Sequence, residues 1–133
     1  MISYKKARKK DIPLLIEYKL QTIIPYLKTN EEKLKVIAYV NEFIRNNFNK
    51  FIIIHYFFKR VGSFLILDNE LDTLYIIEKY RNKGIGSKIL KKEKIDKIKV
   101  KKENEKAIPF YDKNGFSKKE VKEDYIILRK NIW

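Results

Sequence analysis

One stretch limits the folds open to this chain more than any other: Leu71–Leu90, LDTLYIIEKYRNKGIGSKIL. Leu71–Ile77 is apolar and rich in β-branched and aromatic residues, the composition of a largely buried strand. Gly84 and Gly86 bracket Ile85, and Ser87–Leu90 resumes with apolar residues at helical spacing. A helix N-terminus carries unpaired N–H groups and about half a positive charge, so it can hold an anion. Two glycines just before it remove the Cβ atoms that would keep a phosphate away from those amides. Arg81, Lys83 and Lys88 add mobile positive charge at the same place. The stretch therefore predicts a strand, a turn that cradles pyrophosphate, and a helix. Two familiar phosphate loops do not fit it. A dinucleotide fingerprint needs a third glycine where Ile89 stands, and there is no Gly-Lys-Ser/Thr run of a P-loop.

The rest of the composition narrows the chemistry. At 133 residues the chain suits one domain, 1–133, burying about two-thirds of its extended surface. There is no cysteine and a single histidine, His55, inside a strand-like run. Disulfides, a cysteine nucleophile and a histidine- or thiolate-based metal site are excluded, and no metal is expected. No apolar run approaches the ~20 residues of a membrane span, and the N-terminus lacks a signal peptide's apolar core, so a cytoplasmic location without membrane attachment is expected. The formal net charge is +14, with twelve Lys/Arg against four Asp/Glu between Lys79 and Lys106. Such basicity concentrates anions near the surface. A nucleic-acid-binding module is one reading of it, but nucleic-acid binding does not require a glycine pair at 84 and 86.

Taken in order, Ile2–Ala7 is expected as a first strand. Asp11 is placed as the N-cap of a helix with the apolar stripe Ile12, Leu15, Ile16, Leu20, Ile23, Ile24 and Leu27, interrupted at Pro25. Thr29-x-x-Glu32 matches a capping box, and Leu34, Ile37, Val40 or Asn41, Ile44 and Phe48 form the stripe of a second helix. Phe51–Phe57, Val61–Leu67 and Leu71–Ile77 read as an antiparallel meander with turns at Lys59-Arg60 and Asp68-Asn69-Glu70. A short helix Ile85–Lys92 follows, then a strand Ile95–Val100. Glu105–Asn114 is expected as a brief helix with Gly115 as its C′ residue, and Ser117–Val121 and Tyr125–Arg129 as a closing hairpin.

Three motifs in this order resemble the GNAT superfamily of acyl-CoA-dependent N-acetyltransferases. They are Leu74-Tyr75-Ile76-Ile77-Glu78-Lys79-Tyr80-Arg81-Asn82-Lys83-Gly84-Ile85-Gly86, the later Asn104-x-x-Ala107-x-x-Phe110-Tyr111-x-x-Asn114-Gly115-Phe116, and Val61-Gly62. Asp11-Ile12-Pro13 is similar to the family's opening. The resemblance implies an α+β, three-layer fold: a mixed, mostly antiparallel sheet of about six to seven strands with helices on both faces. It implies acetyl-CoA as co-substrate and an amine acceptor, small molecule or peptide. Backbone groups of Tyr75, Ile76 and Ile77 would pair with the pantetheine arm. Arg81, Asn82, Lys83, Gly84, Ile85, Gly86 and Ser87 would hold the pyrophosphate, Asn104 the pantetheine or its loop, and Tyr111 would protonate the departing thiolate. The alternative within the family is a member that binds acyl-CoA without turnover. A monomer or homodimer is expected.

Two departures stand out. The helix after the glycine turn is short for the family. The glutamate that the subgroup acetylating ribosomal-protein N-termini carries five residues before the motif's Asn is replaced by Lys99. Asp72, Glu70, Glu78 and His55 are the remaining candidates for a base. Asp72 shares strand parity with Leu74 and Ile76, so it is expected to project towards the acceptor pocket.

Overall fold

The computed structural model describes residues 1–131. In chain order the elements are β1 (Ile2–Lys6), α1 (Ile12–Gln21), α2 (Asn30–Asn47), β2 (Phe51–Tyr56), β3 (Lys59–Leu67), β4 (Glu70–Ile76), α3 (Ile85–Lys92), β5 (Lys97–Lys101), α4 (Ile108–Lys113), β6 (Phe116–Val121) and β7 (Tyr125–Lys130). Among the described residues seven strands form one sheet, in the order β1-β2-β3-β4-β5-β7-β6. Every neighbouring pair is antiparallel except β4 and β5. The parallel pair is imposed by connectivity: α3 carries the chain back across the sheet before β5 begins.

The two faces of the sheet bury different helices. Ile85, Ile89 and Leu90 of α3 and Tyr111 of α4 pack with Phe64, Leu71, Ile98, Val100 and Leu128. On the opposite face Ile12 and Leu15 of α1 and Val40 and Ile44 of α2 pack with Phe51, Ile53 and Leu65. These two layers on a mixed, mostly antiparallel sheet are the expected α+β architecture. The expected short helix is α3 itself.

Local departures from expectation have identifiable causes. The β2–β3 turn is made by Phe57 and Phe58, both at positive φ (49° and 71°), one step before Lys59-Arg60. The next turn is Asp68-Asn69 (φ 51° and 63°), which suits residues that tolerate the left-handed region. Asp11 sits at the N-cap position of α1 but reaches back instead, accepting from the Arg8 amide (2.8 Å) and pairing with Arg60 (3.3 Å). The Thr29–Glu32 capping box forms with both reciprocal bonds. Of the α2 stripe only Val40 and Ile44 are buried; Leu34 and Ile37 are exposed. The helix expected over Glu105–Asn114 is a 3₁₀ turn over Lys102–Ala107 followed by α4. Pro109 lacks the N–H that an α-helix would donate to Glu105, so a single helix cannot run through. Gly115 terminates α4 at φ 93°.

Candidate active site

The site begins where the sheet opens. β4 and β5 pair only at Glu70–Lys97 and Leu71–Ile98, then diverge. On the other side of β4 the ladder with β3 continues through Gly62–Ile76, and the Ile77 amide donates to Val61 (2.8 Å). Main-chain groups alternate along a strand, so those of Tyr75 and Ile77 face β3 while those of Leu74 and Ile76 face the opening. This corrects the expected set. The main-chain groups of both Tyr75 and Ile77 are turned to β3, Ile77 does not line the cleft, and Leu74 and Ile76 are the residues of β4 whose main chain faces it. Strand parity was the signal that could have found it.

The opening widens into a cleft of about 940 Å³. Its walls come from Gln21, Thr22 and Tyr26 after α1, from Leu74, Tyr75 and Ile76 of β4, from the turn and α3 (Tyr80, Arg81, Asn82, Gly84, Ile85, Gly86, Ser87, Lys91), and from Asn104, Lys106, Ala107, Phe110, Tyr111, Lys113 and Asn114. Most of the residues singled out from the sequence therefore meet there; Lys83, like Ile77, is not among the lining residues. Tyr80, Phe110, Asn114, Lys91, Lys106 and Lys113 were not singled out, although Phe110 and Asn114 belong to the second motif.

The glycine turn presents donors. The amides of Tyr80 and Arg81 are used by a 3₁₀ turn, donating to Ile77 and Glu78, whereas the Lys88 amide donates to Gly84. Between them, the amides of Asn82 to Ser87 donate to no carbonyl among the described residues. Asn82 (φ 63°) and Gly84 (φ 79°) both lie in the left-handed region, the alternation that turns successive N–H groups into an anion-binding concavity. The two glycines serve different ends. A Cβ on Gly84 would meet nothing within 4 Å, so glycine is required there for backbone conformation and leaves the concavity open. A Cβ on Gly86 would stand 2.8 Å from the Phe110 ring, so this glycine lets α3 and α4 pack closely rather than clearing room for a ligand.

The Arg81 side chain folds back over the mouth, donating from Nε to the Ile76 carbonyl (2.7 Å) and lying 5.5 Å from the Tyr75 ring centre. Asn104 sits at the kink of the 3₁₀ turn (φ −108°, ψ 30°) and faces the cleft. Tyr111 is buried in the core cluster at the cleft's inner wall, and burial pushes its phenol well above the ordinary value near 10. Its hydroxyl stays protonated.

The candidate bases are elsewhere. The ladder partners of Leu65 and Ile66 are Thr73 and Leu71, so Asp72 is the extra residue of a β-bulge. The bulge breaks the parity argument. Leu74 and Ile76 pack towards the α3 and α4 side, whereas Asp72 turns to α1 and pairs with the buried Lys19 (3.6 Å). His55 lines a separate basic concavity with Lys5, Lys6, Arg8 and Arg60, and its Nδ1 is buried without a partner among the described residues. Glu70 lies at the paired base of β4. Glu78 is in the 3₁₀ turn before Arg81 and, like Glu70, is absent from the cleft lining. Among the described residues lining the cleft there is no aspartate, glutamate or histidine; its ionisable groups are tyrosines, lysines and Arg81. Among the described residues no group of three or more His, Asp or Glu is placed to hold a metal ion, and no helix is long and apolar enough to cross a membrane.

Comparison with known proteins agrees with this geometry. Residues 35–118 match the family described as acetyltransferase (GNAT) domain. No curated protein matches the sequence. Among solved structures, the fold is similar to the apo form of YjaB from Escherichia coli, at 19% identity, covering 96% of this chain and 95% of that one with a TM-score of 0.73. It is similar to the PaiA N-acetyltransferase of Thermoplasma acidophilum, solved in complex with coenzyme A, at 26% identity over 98% of this chain and 99% of that one (TM-score 0.66). An acetyltransferase of Thermus thermophilus is similar at 17% identity over 96% and 95% of the two chains (TM-score 0.66).

Proposed function

Because the chain belongs to the GNAT acetyltransferase domain family, we propose that it moves the acetyl group of acetyl-CoA to a primary amine by direct attack. The observation that carries this reading is the run of amides from Asn82 to Ser87 left without a carbonyl partner, beside a cleft whose described lining residues include no carboxylate. A diphosphate needs donors and positive charge and is repelled by acids. Each charge-assisted bond contributes roughly 1.5–3 kcal/mol, so a few of these amides suffice as an anchor. The open main-chain groups of Leu74 and the Ile76 amide would hold the pantetheine as an added strand, the Ile76 carbonyl being taken by Arg81. Asn104 would fix the loop beside it.

Bound acetyl-CoA supplies an activated thioester. An amine held in line needs no covalent enzyme intermediate to attack it. The amine loses one proton as the amide forms, and the departing sulfur gains one, so the step balances without an outside acid. Tyr111 would donate to the thiolate and be restored by the amine's proton. Its raised pKa keeps the hydroxyl protonated throughout the working pH range, which disqualifies it as the base and makes it a weak acid that could donate only as the carbon–sulfur bond breaks. The described residues lining the cleft include no carboxylate or histidine, and the Asp72 carboxylate at the base of the fork is held by Lys19, so the acceptor would arrive neutral. Deprotonating an amine of pKa ~10.4 at pH 7 costs about 4.6 kcal/mol, against about 1.4 for one of pKa ~8. A weakly basic amine fits.

The test is thermal shift with acetyl-CoA, CoA and desulfo-CoA, followed by amine panels monitored for thiol release. Stabilisation by all three ligands with thiol release only in the presence of an amine is expected. No stabilisation would remove the cradle, and stabilisation without release from any amine would leave an acyl-CoA-binding protein.

A further inference from the structure

We propose that the fork between β4 and β5 holds an anion subsite formed by Lys99 and Lys101, and that the acceptor is therefore an amine carrying a carboxylate or another anionic group, not a polyamine or a basic peptide. The inference rests on the acetyl-transfer reading and names the substrate class of that same site.

The strands part immediately after Leu71–Ile98, so Asp72 and Lys99 are the first residues of the fork on either side. Ile98 and Val100 are buried towards α3 and α4, which places Lys99 and Lys101 on the opposite side, facing α1 and α2. There they join a cluster. Lys19 of α1 is almost wholly buried (side chain 5% exposed), pairs with Asp72 at 3.6 Å and lies 5.1 Å from the Phe43 ring centre. Lys101 Nζ is 5.2 Å from the ring centre of Tyr39 on α2, and Lys99 Nζ is 4.6 Å from that of Tyr125 on β7.

Three lysines thus lie on the same side of the sheet as one carboxylate, Asp72, and that carboxylate is engaged by Lys19. Neither Lys99 nor Lys101 has an acidic partner among the described residues. Their positive charge acts on the neighbours: burial pulls the Lys19 pKa below its ordinary value, Asp72 opposes this, and Lys101 and Lys99 push it down further. Aromatic rings orient both lysines but leave their charge uncompensated. Half-buried like charges repel unless an anion joins them, and the coenzyme's diphosphate is already provided for at the far end of β4. An acceptor entering from the α1 and α2 side meets this pair at the base of the fork. An anionic group on it would complete the cluster, whereas the second cation of a polyamine would add to the repulsion. The same field favours the neutral form of the attacking amine, which a cleft without a base requires.

The experiment measures thiol release by the full chain at saturating acetyl-CoA with matched acceptors. These are alanine, serine and phenylalanine, their decarboxylated amines, 2-aminoethylphosphonate and spermidine. At least ten-fold higher kcat/KM for the anionic member of each pair is expected, and the phosphonate tells a phosphoryl-bearing acceptor from a carboxylate-bearing one. In Lys99→Gln/Lys101→Gln the KM for the anionic amine should rise at least ten-fold while the melting shift given by acetyl-CoA is kept. Equal or better use of the decarboxylated amines or spermidine, or an unchanged KM in the variant, overturns the subsite while leaving acetyl transfer standing. Stabilisation by acetyl-CoA with no turnover of any anionic amine overturns it too. Absence of both stabilisation and turnover overturns the acetyl-transfer reading, and the subsite with it.

Discussion

Gly62→Ala tests whether the spacing of β3 and β4 sets the open edge of the cleft. Gly62 pairs with Ile76, and a Cβ there would overlap the Tyr75 carbonyl oxygen and lie 3.0 Å from Ile76 Cα. Carbon atoms pack best at about 3.5–4.0 Å, so even the milder of these contacts requires β4 to retreat by about 0.5–1 Å. The obstacle is backbone on both sides, so no side chain can swing away. Overpacking of this kind costs roughly 1–3 kcal/mol, read as a fall in the urea unfolding free energy. The displaced segment carries the open groups of Leu74 and the Ile76 amide, and a shift of about 1 Å at a positioning element can cost up to 10²-fold in rate. We therefore expect kcat/KM for acetyl-CoA to fall about 10- to 100-fold in a protein that still folds. Gly115→Ala is the control. It strains a residue at φ 93° with open space around it and should cost about 1 kcal/mol without moving β4. Destabilisation of Gly62→Ala below about 0.5 kcal/mol with kcat/KM within about two-fold of wild type would refute the reasoning.

Gly84→Ala should lower stability by about 1 kcal/mol through backbone strain and reduce the thermal shift with acetyl-CoA, because its Cβ would stand in the open concavity; Gly84→Glu should abolish that shift, since a carboxylate would stand among the free amides. Tyr111→Phe should keep the acetyl-CoA shift and slow thiol release about 10- to 100-fold; unchanged turnover would remove the hydroxyl from the mechanism. The same substitution has a pH signature. The folded-state pKa of Tyr111 is raised, so its contribution is whole below the unfolded value near 10 and is lost as pH rises above it. Wild type should lose up to about 1.4 kcal/mol per pH unit above pH 10 relative to Tyr111→Phe in urea titrations. Replacing Phe57-Phe58 by Asn-Gly should stabilise the protein by about 1 kcal/mol. Both positions have positive φ and Phe58 is 98% exposed, and the relief of strain exceeds the loss of the Tyr56–Phe57 edge-to-face contact.

The order of elements, the short α3 and the donor-rich turn were legible along the chain because each is a local property. Hydrophobic period, glycine placement and capping chemistry act within a few residues, and the Thr29–Glu32 box and the C′ glycine at 115 follow from them directly. What was misread involves partners distant in sequence. Asp72 was given the parity of an unbroken strand, but the register across β3 inserts it as a bulge and hands it to Lys19. Ile77 was counted among the free groups, although Val61 claims its amide. Gly86 was assigned to ligand clearance until Phe110, far along the chain, took the space of its absent Cβ. Composition registered the lysines only as a sum. Their concentration at the fork required two strands to part and two helices to close over one face, since charge becomes a site only where folding removes the water and counter-charge that would otherwise screen it.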